Sequence, residues 1–127
     1  KVLVAIQVAK LFSGKIHLLG LLGGDDKDAA FKLSKILKQV GTRLKSEDIE
    51  FTSEVIETSE PVKRTLTAAK RKKADMIISM TDEGSGSILP SKSYDRELVD
   101  ESSIPVLSIP PEIHEENIAP ASLGGLW

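Results

Sequence analysis

The sequence contains no cysteine, one tryptophan, one tyrosine and two histidines in 127 residues, and each scarcity removes a class of function. Without cysteine there is no disulfide framework, no thiolate nucleophile and no zinc–thiolate site. His17 and His114 stand far apart in the chain, and zinc sites built without cysteine usually draw on more imidazole than this. Aromatic residues make up 4% of the chain, too few to furnish the stacking platforms that bind single-stranded nucleic acid. A formal net charge of −2 gives no general attraction to nucleic acid or to an anionic membrane. No apolar run approaches the roughly 18 residues that a membrane span requires, and no G-x-S-x-G elbow marks a hydrolase nucleophile. The expectation is a cytoplasmic protein with no catalytic site and no metal, binding neither nucleic acid nor membrane.

What is present is enough for one hydrophobic core, with 40% apolar and 28% charged residues, ordinary values for a globular domain. VLVAI (Val2 to Ile6) and KIHLLGLL (Lys15 to Leu22) are near-continuous apolar runs, read as strands buried on both faces, as in a parallel sheet. Ala30, Leu33, Leu37, Val40 and Leu44 then recur at steps of three and four, the stripe of an amphipathic helix. Asp25, Asp26 and Asp28 precede it, where carboxylates suit the positive end of the helix dipole. IEFTSEVIE (Ile49 to Glu57) alternates as a strand with one solvated face. Ser59-Glu60-Pro61 opens a further helix, with proline where its missing N–H costs little. Its inward residues are Val62, Leu66 and Ala69, and it closes on KRKK (Lys70 to Lys73), cations at the negative end of the dipole.

ADMIISM (Ala74 to Met80) reads as another buried strand, a helix follows around Tyr94 to Ser102, and IPVLSIP (Ile104 to Pro110) as a last strand near an edge, because Pro105 cannot donate to a central ladder. This alternation makes the fold class α/β with a mostly parallel sheet. One interval is too short. Only Gln7 to Gly14 separate the first two expected strands, whereas a parallel crossover needs at least roughly 10 to 12 residues. VAKLF looks like the end of a helix whose beginning is absent, so residues are expected to be missing after Gln7.

The order VLVAI, KLFSGKIHLLGLL, a lysine-rich helix, EVIETSEPVKRTLTAAKRKKADMIISM and SIPVLSIP resembles a universal stress protein domain. The likeness covers residues 1–110 and leaves 111–127 as a C-terminal extension. It implies an open, doubly wound sheet of five mostly parallel strands in a three-layer sandwich, of the flavodoxin-like or adenine-nucleotide α-hydrolase-like kind. The first and fourth strands would be central neighbours. Family members that bind ATP resemble one another in an aspartate closing the first strand and a loop of pattern G-x2-G-x9-G-[ST]. Glycines in such a loop let backbone N–H groups converge on phosphates.

Mapped onto this chain, the aspartate is replaced by Gln7, and the loop positions fall on Thr81, Gly84, Lys92 and Ser93. Only Gly84 and Ser93 keep the family residue. Between Thr81 and Asp95 three acids (Asp82, Glu83, Asp95) face one base (Lys92), a field that disfavours a triphosphate. Lys92 could partly offset it as a point charge on a phosphate. Ser93 also suits a helix N-cap, and Ser85, Ser87 and Ser91 suit a loop. The expected role is a non-catalytic binding or regulatory module in stress response, with an eroded ATP loop and no cofactor. The alternative is a nucleotide-responsive switch holding ATP with Mg between the first and fourth strands. The resemblance also implies a homodimer formed through the last strand, Val106, Leu107, Ser108 and Ile109. The tail from Pro111 to Trp127 is expected to be an extended arm, anchored by Leu126 and Trp127 on its own domain, a dimer partner or another protein.

Overall fold

A computed structural model describes residues 2–80 and 92–109. Four helices and four strands alternate in the order α1 (Val2–Phe12), β1 (Ile16–Leu22), α2 (Lys27–Ser46), β2 (Phe51–Glu57), α3 (Pro61–Arg71), β3 (Ile77–Met80), α4 (Lys92–Glu101), β4 (Val106–Ile109). β1 pairs in parallel with β2, Ile16 opposite Phe51 and Leu22 opposite Glu57. β3 pairs in parallel with β4, Ile77 opposite Val106 and Met80 opposite Ile109. The α/β class and the parallel pairing match the sequence expectation; the described strands form two pairs.

The first expected strand is corrected. Val2–Ile6 is the opening of α1, and the helix runs without interruption through Gln7 and Val8 to Phe12. VAKLF therefore does end a helix, and VLVAIQ is its beginning. Ala5, Ile6 and Ala9 are buried, spaced three and four apart, and Val2 packs against the same cluster. Only three residues, Ser13 to Lys15, then lead into β1. The short interval that prompted the expectation of missing residues therefore no longer arises.

Three helices hand over to the following strand in one way. Ser13 (φ 53°), Asp48 (φ 57°) and Lys73 (φ 55°) take the left-handed conformation. The next residue's N–H reaches back five positions: Gly14 N to Ala9 O (2.8 Å), Ile49 N to Leu44 O (3.0 Å) and Ala74 N to Ala69 O (2.9 Å). This is the six-to-one bond of a Schellman cap, which satisfies a carbonyl the helix leaves open. At the other end of α2, Asp26 Oδ1 accepts from the N–H groups of Asp28 (2.9 Å) and Ala29 (3.2 Å), the N-cap that the aspartate cluster foreshadows. Pro61 occupies the first turn of α3, as its fixed φ suits.

The pleat sends alternate residues to two layers. Ile16 and Leu18 join Ile6, Ala9, Leu37, Val40, Leu44, Ile49 and Phe51 on the α1/α2 face, and Leu22 joins Ala29 and Leu33 there. Gly20 is the point of closest approach of α2: a Cβ there would lie 3.0 Å from Leu37 Cδ1 and 3.1 Å from Leu33 Cδ2. Leu19 and Leu21 point the other way, into a cluster with Ile56, Val62, Leu66, Ile77, Tyr94, Leu98 and Val106. Helices thus cover both faces, a three-layer arrangement.

Candidate functional site

A crevice of about 180 Å³ lies between the two strand pairs. Its walls are β1 (His17, Leu19, Leu21) and β3 (Ile77 to Met80), and its floor is α3, with Thr65, Ala68, Ala69 and the C-cap Lys72; Tyr94 of α4 closes one side. In open α/β sheets ligands bind outside the carboxyl ends of the strands, where the strand order reverses, and Met80, at the carboxyl end of β3, marks that end of this crevice.

Two side-chain clusters border it. Near the start of β1, His17 Nδ1 is hydrogen-bonded to Thr52 Oγ1 (2.5 Å) and Nε2 to Glu54 Oε2 (2.5 Å). The Arg71 guanidinium donates to the same Glu54 oxygen, tying the end of α3 to β2. The His17 hydrogen bond, followed by the charge of Arg71, holds the Glu54 carboxyl below its ordinary value. Toward the other end, Asp95 in the first turn of α4 accepts from Ser79 Oγ at Oδ1 (2.5 Å) and from Ser108 Oγ at Oδ2 (2.5 Å). The two serines are register partners on β3 and β4, so one carboxylate pins the helix across both strands. Next to it, Tyr94 Oη and Thr65 Oγ1 share a buried hydrogen bond of 2.7 Å. Burial raises the Tyr94 pKa, and the neighbouring Asp95 charge adds to the rise.

Of the residues singled out in the sequence for a nucleotide site or an interface, Gln7, Ser93 and Val106 to Ile109 are not among those lining this crevice. Gln7 is exposed on α1 and does not close a strand. Lys92 opens α4, and Ser93 follows within its first turn. Thr81 and Gly84 lie outside the described residues, as do His114 and the tail through Trp127. Val106, Leu107, Ser108 and Ile109 form β4, with Leu107 and Ser108 exposed. Among the described residues no group of three or more His, Asp or Glu side chains could hold a metal ion, and no helix is long and apolar enough to cross a membrane.

Sequence reasoning missed the Ser79–Asp95–Ser108 brace. A signal was available: IISM and VLSI each carry one serine at the third position of an apolar run. Ser79 is buried there, and a buried hydroxyl needs a partner.

No family model matches the chain, and no curated protein gives a significant match. Among solved structures it is similar to a universal stress protein family structure from Burkholderia pseudomallei, with TM-score 0.65 and 18% identity, over 84% of this chain and 81% of that one. It is similar in like degree to a universal stress protein from Archaeoglobus fulgidus, with TM-score 0.64 and 18% identity, over 85% of this chain and 86% of that one. At this identity the likeness establishes a shared α/β fold.

Proposed function

From a chain with the fold of universal stress protein structures, we propose a binding or regulatory module of that family acting in stress response. It is cytoplasmic, has no catalytic site of its own, and carries a nucleotide loop that no longer holds ATP. The observation that carries this reading is Asp95. A phosphate held by such a loop would rest against the first turn of the helix that follows, on its open N–H groups. In this chain that turn carries a carboxylate braced by Ser79 and Ser108. Anions repel one another most where water is partly excluded.

Lys92 and Ser93 favour the second reading, a switch that binds Mg-ATP. Both stand in the first turn of α4, at the helix end that attracts anions. Isothermal titration of nucleotide-stripped protein with Mg-ATP and with Mg-AMP separates the two. The expected outcome is no binding heat from a folded sample. Micromolar binding abolished by Gly84→Val would establish the switch instead.

The resemblance also supports a sheet of five strands. β1 and β3 flank the crevice without pairing with each other, and the fifth, central strand is assigned to the space between them. β4, whose Leu107 and Ser108 are exposed, is assigned with Val106 and Ile109 to the homodimer, and Pro111 to Trp127 to a protein-binding arm.

A further inference from the structure

α3 and α4 lie side by side. Val62 and Leu66 of one and Tyr94 and Leu98 of the other meet in one cluster, and Thr65 and Tyr94 join the helices by a hydrogen bond. The sides they turn to water are opposite in charge. α3 and the two residues that end it expose Lys63, Arg64, Lys70, Arg71, Lys72 and Lys73. Lys63 pairs with Glu60 (3.7 Å) and Arg71 with Glu54; the other four make no ion pair among the described residues. α4 exposes Glu97, Asp100 and Glu101, with Arg96 beside them, and these too make no ion pair among the described residues. Glu97 stands three residues from Asp100 and four from Glu101, the spacing at which like charges on a helix repel. Lys70 and Lys73 repeat that relation with the other sign.

We propose that this two-signed face is a contact between two copies of the chain, α3 of each laid against α4 of the other. A uniformly acidic partner would suit α3 and be repelled by α4, and a basic one the reverse. A second copy satisfies both helices. A two-fold axis set between them and running along them places α3 over the partner's α4 and α4 over the partner's α3 in one operation, so the contact closes on itself. The chain's net charge of −2 leaves little overall repulsion between copies. Exposed ion pairs are individually weak and screened by salt, so the contact is salt-sensitive. It involves no residue of β4, and it adds to the homodimer assigned there.

The test is the mass of the whole chain by sedimentation, in a Leu107→Glu background that takes β4 out of play, at about 0.02 M and about 0.5 M salt. Association should be present at the lower salt and at least ~10-fold weaker at the higher. One mass at both would overturn the proposal and leave the reading of β4 as it stands. Charge reversal then tests the pairing of the helices. Arg64→Glu with Lys70→Glu makes both helices acidic, and Glu97→Lys with Asp100→Lys makes both basic. Either pair of changes alone should weaken association by at least ~10-fold. Mixing the two variants should restore it, because each α3 then meets an α4 of opposite sign at both contacts. The milder Arg64→Gln with Lys70→Gln should weaken association in the same direction with an unchanged thermal melt. Variants that associate as the parent does, or a mixture no larger than its components, would overturn the proposal.

Discussion

Ser13, Asp48 and Lys73 each hold a left-handed backbone without being glycine. A side chain in that conformation costs roughly 1–2 kcal/mol, and the freedom glycine loses on folding costs about 0.5–1 kcal/mol. The difference favours glycine. Lys73 is exposed, so Lys73→Gly should raise stability by about 0.5–1 kcal/mol, a Tm gain of roughly 2–5 °C in a domain of this size. A lower Tm in a thermal melt would show that the lysine contributes something beyond its backbone. These caps could not be read in advance, because sequence signals for helix ends rely on glycine or asparagine. Asp26 and Pro61 follow the usual preferences and were legible.

Tyr94, the only tyrosine, offers a second test at this scale. Burial raises its pKa above 10.0. In the unfolded chain the phenol loses its proton near its ordinary value; in the folded chain it keeps it longer. The native state thus binds more protons in that range, and stability falls as pH rises through the folded value. Phenolate absorbance should appear late, above pH 10, and together with unfolding. A titration at the ordinary value in folded protein would show that the ring is open to water.

At the scale of elements, the strands and helices after Ser13 stand close to where their patterns put them, and α1 does not. VLVAI carries no period, because every position is apolar, and a short run of that kind suits a buried strand or a buried helix equally. What decides is the neighbourhood: Ile6 packs against Leu18, Leu44 and Ile49, residues far off in the sequence. α3 shows a milder version, since its buried residues are Val62, Thr65 and Ala68, one step round from the expected Leu66 and Ala69. Leu66 still packs half-buried on the cluster beneath β1, and Thr65 is buried beside it because Tyr94 supplies its hydroxyl with a partner. The last strand lies where expected, and its outer edge carries the dimer prediction. Leu107→Glu, at a position already exposed, should leave the fold unchanged and convert a dimer to a monomer in size-exclusion chromatography with light scattering. An unchanged mass would move the interface elsewhere.

On the scale of the whole molecule, the class was visible in the alternation of apolar runs and helical stripes. The division of the strands into two pairs was not, since pairing depends on which edges meet, and pattern reports only which faces are buried. The candidate site divides likewise. Lys92 and Ser93 were singled out by counting along the chain and stand in the first turn of α4, whereas the brace of Asp95 on two serines emerges only when β3 and β4 lie side by side.

The two layers of the sandwich differ in when their parts become available. Every residue in the clusters on the α1/α2 face lies at or before Phe51. The opposite cluster begins with Leu19 but needs Leu98 and Val106 to close. On a ribosome adding about 5–20 residues each second, the first layer is complete in composition several seconds' worth of chain before the second. During that interval Leu19 and Leu21 belong to a sheet with one finished face and one bare one. Synthesis thus imposes an order on a structure whose final contacts carry no arrow of time, and the nascent chain presents its apolar underside to whatever waits at the exit tunnel.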